Sequence, residues 1–337
     1  MNRRSFIKTT GLVAAHAAVF SGDAIGAQAQ SQSSYELKPP VNPFEQDGQW
    51  YKSALHVHTT TSDGDVDVPT RLAEYRDLGY SVVAVTDHWK TNDLSGFSDE
   101  HFLAINGMEA HPRTGTGAPA HHLVCLDLPH PFELNRNLSA QALVDEVLQV
   151  GGKVIYAHPY WTAHTIEEMS EIKGYIGVEV FNGVCQVRWG KGFGNVHWDQ
   201  ALNRQRPLAG MATDDVHRSD EIDIGWTMIK AGGLRKSDIM DAIAQGSYYA
   251  SCGPTIQDFQ VKDGVVSIQS SPVSQIRLQF DGQGGGRVYD AEKGQTIHTA
   301  RWNFSSARRK PAWIRAEVVD SQGRHAWTNP VFITDQG

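Results

Sequence analysis

Six short apolar runs in this chain each border a side chain that can bind a metal ion. The first constrains the fold most: Ala54-Leu55-His56-Val57-His58, then Thr59-Thr60-Thr61-Ser62-Asp63-Gly64. Alternate side chains of a strand share a face, so His56 and His58 point the same way. Two imidazoles on one face at the end of a buried strand make a metal-ligand pair. The polar turn then brings the Asp63 carboxylate back to the same mouth. Taken alone, the pair also fits two hydrogen-bonded core histidines, the lesser reading. Recurrence separates the two readings.

A helix from Pro69 to Leu78, stopped by Gly79, leads into Ser81-Val82-Val83-Ala84-Val85-Thr86-Asp87-His88. Helix, glycine stop, β-branched strand and polar strand end follow the α/β-barrel pattern, in which C-terminal strand ends carry the chemistry. His88 is the candidate ligand, and Asp87 is placed to orient a neighbour. Phe102-Leu103-Ala104-Ile105-Asn106-Gly107-Met108-Glu109 repeats the design and ends in a carboxylate able to bridge two cations. His121-His122 opens the strand Leu123–Leu126; His122 is favoured as the ligand, with His121 the alternative. A helix over 138–150, capped by Asn137 and stopped by Gly151-Gly152, precedes Lys153-Val154-Ile155-Tyr156-Ala157-His158. The strand 176–180 runs into Asn182, a turn former or a substrate contact. Pro207-Leu208-Ala209-Gly210-Met211-Ala212-Thr213 leads into Asp214-Asp215-Val216-His217, where Asp215 and His217 again share a face.

Composition narrows the chemistry. A chain of 337 residues with 40% hydrophobic content can bury one large core and a smaller second unit. Its net charge is −8, and it has no basic stripe, so nucleic-acid processing is disfavoured. Bound cations can still reverse the field inside a cleft, so an anionic substrate is compatible. Cys125, Cys185 and Cys252 show no Cys-x-x-Cys spacing, which argues against a thiolate zinc site and suits buried small hydrophobes.

The six motifs, in this order over residues 50 to about 253, resemble the PHP (polymerase and histidinol phosphatase) metal-dependent hydrolases. The resemblance implies an α/β fold: a distorted (β/α)7 TIM-like barrel at 50–254. It also implies a metal cluster of two to three divalent ions, Zn, Mn or Fe. His56, His58, Glu109 and Asp215 would hold the first ion; Glu109, His122 and His158 the second; Asp63, His88 and His217 the third. Cys125 stands where such strands often carry Gly. The implied activity is a phosphoesterase, hydrolysing a phosphomonoester or phosphodiester by metal-activated hydroxide, with Asp215 as general base and His217 or a water on the third ion assisting the leaving group. A carboxyl-ester or carbamate hydrolase, as in the carbaryl-hydrolase-like branch, is the alternative. A non-catalytic periplasmic metal- or ligand-binding protein is the reading from another class. Trp161, Asn182 and Arg188 are candidate contacts for a small-molecule ester; His164, Trp189, Lys191, His197 and Arg218 are weaker ones.

Asn2-Arg3-Arg4-Ser5-Phe6-Ile7-Lys8, an apolar run to Phe20 and Ala27-Gln28-Ala29 resemble a twin-arginine signal peptide over 1–29. It implies the twin-arginine export machinery as a partner and a periplasmic or secreted chain starting near Gln30. The apolar run is too short for a stable membrane anchor. Three basic residues against Asp23 make this segment +2, leaving −10 from Gln30 on. Residues 30–49 read as a linker rich in Gln, Ser and Pro, and Trp50-Tyr51 marks the entry to the fold. A last helix over 238–245 closes the α/β part. Residues 255–337 show short alternating runs between Asp263-Gly264, Asp281-Gly282 and Gln322-Gly323 turns, the pattern of a small all-β sandwich with Trp302, Trp313 and Trp327 in its core.

Overall fold

The computed structural model describes residues 35–113 and 119–333, and Leu37–Gly337 form one compact unit. The leader read at 1–29 lies outside the described residues, as do residues 30–34 of the linker read at 30–49. Among the described residues no helix is long and apolar enough to cross a membrane.

The α/β part contains nine strands: β1 (Gln49–Ala54), β2 (Val82–Val85), β3 (Leu103–Ala110), β4 (Leu123–Leu126), β5 (Lys153–Tyr156), β6 (Gly177–Asn182), β7 (Ala209–Thr213), β8 (Trp226–Ala231) and β9 (Tyr248–Ser251). β1, β2 and β3 pair in parallel, as do β5, β6 and β7, but β4 runs antiparallel to both its neighbours. β2, β4, β6 and β7 are buried along their whole length, as strands covered on both faces must be. The hydrogen-bonded strand path is open rather than a closed ring. Just beyond β1 and β7, the two chain segments meet through a parallel bridge between Val57 and Val216. His58 N donates to Val216 O at 3.1 Å, and Asp215 N donates to His56 O at 3.1 Å.

Helix limits follow from their caps. Asp67 accepts from Thr70 N and Pro69 sits in the first turn of Val68–Asp77; Gly79 at φ 78° lets the chain turn into β2. The Ala140–Gln149 helix is capped by Ser139, not Asn137, because the Ser139 hydroxyl is the group that reaches Ala142 N. Its Leu143, Val144 and Val147 are buried. Lys236–Gln245 ends at Gly246, in the left-handed region.

β8 has no counterpart in the sequence reading. It pairs antiparallel with β1 on one side and β9 on the other. β9 in turn pairs with the strand His325–Thr328, so the central sheet continues into the C-terminal strands. Those strands are β10 (Ile256–Lys262), β11 (Val265–Val273), β12 (Gln275–Phe280), β13 (Gly286–Asp290), β14 (Ile297–Asn303), β15 (Trp313–Val319), β16 (His325–Thr328) and β17 (Val331–Phe332). All their mutual pairings are antiparallel. β10, β11 and β14 form a separate sheet, and Phe259, Val266 and Ile268 from it share a core with Ile276, Leu278, Ile314 and Val318. Trp302 packs against that core, but buried Trp313 and Trp327 belong to the core of the α/β part, where Trp327 stacks on Phe181 at 5.9 Å. The two tryptophans therefore join the β strands to the α/β body.

Candidate metal centre

The nine residues singled out as ligands come together at one end of the α/β sheet. His56 and His58 lie just past β1, Asp63 in the following turn, and His88 past β2. Glu109 is within β3, His122 precedes β4, His158 follows β5, and Asp215 and His217 follow β7. The sharp turns needed at two of these strand ends put non-glycine residues in the left-handed region, His158 at φ 25° and Asp215 at φ 58°.

Glu109 is the hub. Its Oε2 lies 3.3 Å from His56 Nε2, 3.4 Å from His58 Nε2 and 3.0 Å from His88 Nδ1. Its Oε1 lies 2.7 Å from His122 Nδ1 and 3.3 Å from His158 Nε2. Asp215 Oδ1 adds a second carboxylate, 3.2 Å from His56 Nε2 and 3.1 Å from His58 Nε2. Asp63 Oδ2 faces His88 Nε2 at 3.6 Å and His217 Nε2 at 3.5 Å.

Among the described residues, four clusters of donor atoms compact enough for one ion result. One is His56, His58, Glu109 and Asp215; another is Glu109, His122 and His158; a third is Asp63, His88 and His217 joined by His58. The fourth, His56, His158 and Glu179, was not foreseen.

Glu179 is occupied otherwise. Its Oε1 accepts from His56 Nδ1 at 2.8 Å and from Thr213 Oγ1 at 2.8 Å; its Oε2 accepts from His158 N and Asn182 Nδ2, each at 2.9 Å. Four donors saturate the carboxylate, so it orients His56 rather than offering a free oxygen. With Nδ1 bound to Glu179, His56 presents Nε2 to the cluster. His217 is set the same way: Nδ1 donates to Asp215 O at 2.8 Å and leaves Nε2 facing Asp63. The one available signal for Glu179 was a lone carboxylate inside the apolar run of β6.

The donor set fits divalent cations on direct structural grounds. His56 Nε2, His58 Nε2, His88 Nδ1, His158 Nδ1 and Asp215 Oδ1 are buried without a hydrogen-bond partner. Buried polar atoms normally have one, and here all but His158 Nδ1 belong to the donor groups described above. Burial opposes the charge of Asp215, yet the His56 and His58 imidazoles hold its carboxyl below the usual range. Burial likewise opposes a charged His58, but the Asp215 and Glu109 carboxylates beside its Nε2 push it up to about 9. Such mutual dependence of buried carboxylates and imidazoles is what divalent cations relieve.

Residues around the cluster divide by role. Asp87 accepts from Thr59 N, Thr59 Oγ1, Ser62 N, Ser62 Oγ and Asn92 Nδ2, and so pins the turn that carries Asp63. His121 points elsewhere: its Nδ1 meets Tyr156 OH at 2.7 Å and its ring stacks on His164 at 4.4 Å. His197 bonds the backbone of His164 and not the cluster. Asn182 caps the Gly183–Trp189 helix, accepting from Cys185 N, while its amide donates to Glu179 and Asp215. A fully buried Asn182 with both ends engaged supports the carboxylates and is not among the residues lining the cavity over the cluster. His111, also unforeseen, stacks on His122 at 5.2 Å; burial first, then its histidine neighbours, lowers it to about 4. Two-residue alternation from Glu109 along β3 was its signal.

A cavity of about 230 Å³ opens onto the cluster. Asp63, His88, Glu109, His122, His158, Asp215 and His217 form its floor, and Trp161, Val184, Cys185, Arg188 and Trp189 form its wall. Arg188 is tied to Glu221, which also accepts from His217 N and Arg218 N. Cys125, Cys185 and Cys252 are buried and unpaired.

No family model matches the sequence, and no curated protein matches it. Among solved structures, the chain is similar to a two-domain protein from Bacteroides vulgatus containing a predicted PHP-like metal-dependent phosphoesterase, at 16% identity and TM-score 0.49, over 88% of this chain and 98% of that one. It is similar to a candidate metal-dependent phosphoesterase from Bifidobacterium adolescentis at 13% identity and TM-score 0.41, over 59% and 98%. An amidohydrolase from Chromobacterium violaceum with bound sulfate and no metal gives 16% identity and TM-score 0.35, over 49% and 87%. These three neighbours are thus described as metal-dependent phosphoesterases, one of them PHP-like, and an amidohydrolase, while the chemistry of this chain rests on its own side chains.

Proposed function

We propose that this chain is an exported metal-dependent hydrolase of the PHP kind that cleaves a phosphoester. The observation that carries the reading is Glu109: one buried carboxylate facing His56, His58 and His88 with one oxygen and His122 and His158 with the other. That is the bridging position a multinuclear site requires. The Val57–Val216 bridge between the ends of the parallel strands supports a distorted (β/α)7 barrel as the frame.

Two to three Zn, Mn or Fe ions held by the nine residues would supply Lewis-acid activation of water and of the ester oxygen. The protein's part is positional. Glu179 and the Asp215 carbonyl present His56 and His217 through one nitrogen each. Asp215, lining the cavity and steadied by Asn182 at 3.1 Å, is the acceptor for the proton of the attacking water. His217 lines the same cavity and assists the departing oxygen. Trp161 and Arg188 meet the rest of the ester.

A carboxyl-ester or carbamate substrate is the second reading, and the cavity wall supports it: Trp161, Trp189, Val184 and Cys185 are joined by a single cation, Arg188, already paired with Glu221. The deciding experiment is chelator-sensitive hydrolysis by the metal-loaded chain, comparing p-nitrophenyl phosphate, bis-p-nitrophenyl phosphate, an aryl acetate and an aryl carbamate, beside Glu109→Ala. Phosphoester turnover lost in the variant supports the first reading; turnover of the carbonyl substrates alone moves the assignment to the second. Tight metal binding with no turnover overturns both and favours a binding protein. Export through the twin-arginine route is tested by cell fractionation of an Arg3→Lys/Arg4→Lys variant, which should stay in the cytoplasm.

A further inference from the structure

Seven large hydrophobic side chains are exposed among the described residues, and one of them, Trp189, lines the cavity beside Trp161. Exposed apolar groups scattered singly need no explanation, but an indole standing in a cavity wall offers apolar surface to whatever enters. Trp189 is 50% exposed. It is the last residue of the Gly183–Trp189 helix, and Gly190, at φ 66°, closes that helix by donating to Cys185 O and Gln186 O. The helix end therefore fixes where this indole stands. Trp161 stands inside it, edge-on to His158 at 5.2 Å and to His122 at 5.5 Å.

The two indoles are 5.6 Å apart and tilted by 57°, forming a corner. A flat ring laid along one indole meets the other at that tilt, and stacked and edge-on contacts are the arrangements aromatic rings prefer. A puckered saturated ring of the same size can do neither well. The charge at this corner is spent internally, since Arg188 is held by Glu221 while lying 5.8 Å from the Trp189 ring.

We propose that Trp161 and Trp189 form a subsite for a flat, uncharged aromatic ring on the alcohol side of the ester. The proposal rests on the hydrolase reading for turnover, but the ring subsite exists independently of which ester is cleaved. It assigns a substrate class: esters, phosphoryl or carbonyl, whose leaving part carries an aromatic ring.

The test compares benzyl with cyclohexylmethyl esters, as phosphates and as acetates, on the full metal-loaded chain. The two alcohols differ in flatness much more than in basicity. The benzyl ester should be favoured about tenfold in kcat/KM, chiefly through KM. Trp189→Leu should shrink that preference to less than about threefold, and Trp189→Phe, which keeps a flat ring, should restore most of it. Saturation-transfer NMR with benzyl alcohol and cyclohexylmethanol on the full zinc-loaded chain gives a readout without turnover, since neither alcohol can be hydrolysed. Trp189-dependent binding of benzyl alcohol alone, with no ester cleaved, would uphold the subsite and defeat the hydrolase reading. Equal turnover of the benzyl and cyclohexylmethyl esters, or a preference unchanged in Trp189→Leu, would overturn the subsite and leave the hydrolase reading standing.

Discussion

His56 Nδ1 and Glu179 Oε1 are 2.8 Å apart, both buried, so the imidazole turns its other nitrogen toward Glu109 and Asp215. Carboxylates that orient a ligating histidine contribute about 10–100-fold in metal affinity. Glu179→Gln should weaken metal binding by that range, read by competition with a chromophoric chelator. A loss below about threefold would remove the orienting role.

Glu109 touches both groups of imidazoles, so its loss should not merely empty one position. Glu109→Gln should lower the number of divalent ions retained after dialysis and reduce any hydrolysis by at least about 100-fold. Unchanged ion stoichiometry by elemental analysis would contradict a bridging carboxylate.

Buried carboxylates and imidazoles without hydrogen-bond partners make the fold dependent on its ions. Ligand at about 100 times its Kd stabilises by roughly 2.7 kcal/mol. Chelation should therefore lower Tm by several degrees, and added Zn or Mn should restore it in a concentration-dependent way. Scanning calorimetry with and without chelator checks this.

Asp87 accepts five hydrogen bonds, four of them from Thr59 and Ser62. Asp87→Ala leaves those buried donors unpaired and should cost about 2–4 kcal/mol, from loss of a buried network. It should also loosen Asp63, one turn further on, and reduce retention of the ion near His88 and His217. Denaturant unfolding and ion counting together separate the two effects.

Glu317 links the C-terminal strands to the α/β body: it accepts from His325 and Arg277, and from Asn195 Nδ2 at 3.0 Å. Burial opposes its charge, but the His325 hydrogen bond and the Arg315 charge outweigh that and hold its carboxyl below the usual glutamate range. A depressed carboxylate contributes stability that is present above its unfolded pKa, about 4.3, and is lost as pH falls through the lower folded value. The Tm of the wild type should therefore fall more steeply below about pH 4 than that of Glu317→Gln, while the variant is the less stable of the two at pH 7. Parallel Tm profiles across that range would show that Glu317 does not contribute.

The sequence by itself determined which side chains stand at strand ends. His56, His58, His88, Glu109, His158 and Asp215 are each announced by an apolar run and a turn, because strand period and strand termination are local properties of the chain. The small antiparallel C-terminal strands were legible for the same reason, although Gly286–Asp290 and Ile297–Asn303, with their exposed faces, were not. Only the tertiary structure decided what meets what. It chose His122 over His121, turned Asn182 from the cavity to Glu179 and Asp215, set His111 against His122, and brought Glu179 to His56 and Glu221 to Arg188 across long stretches of sequence. It also ran β8 and β9 between the parallel strands and the C-terminal ones, and set Trp313 and Trp327 in the α/β core. Periodicity states which face a side chain takes; the identity of the neighbour on that face is a long-range property, set when strands distant in sequence pair and close-pack.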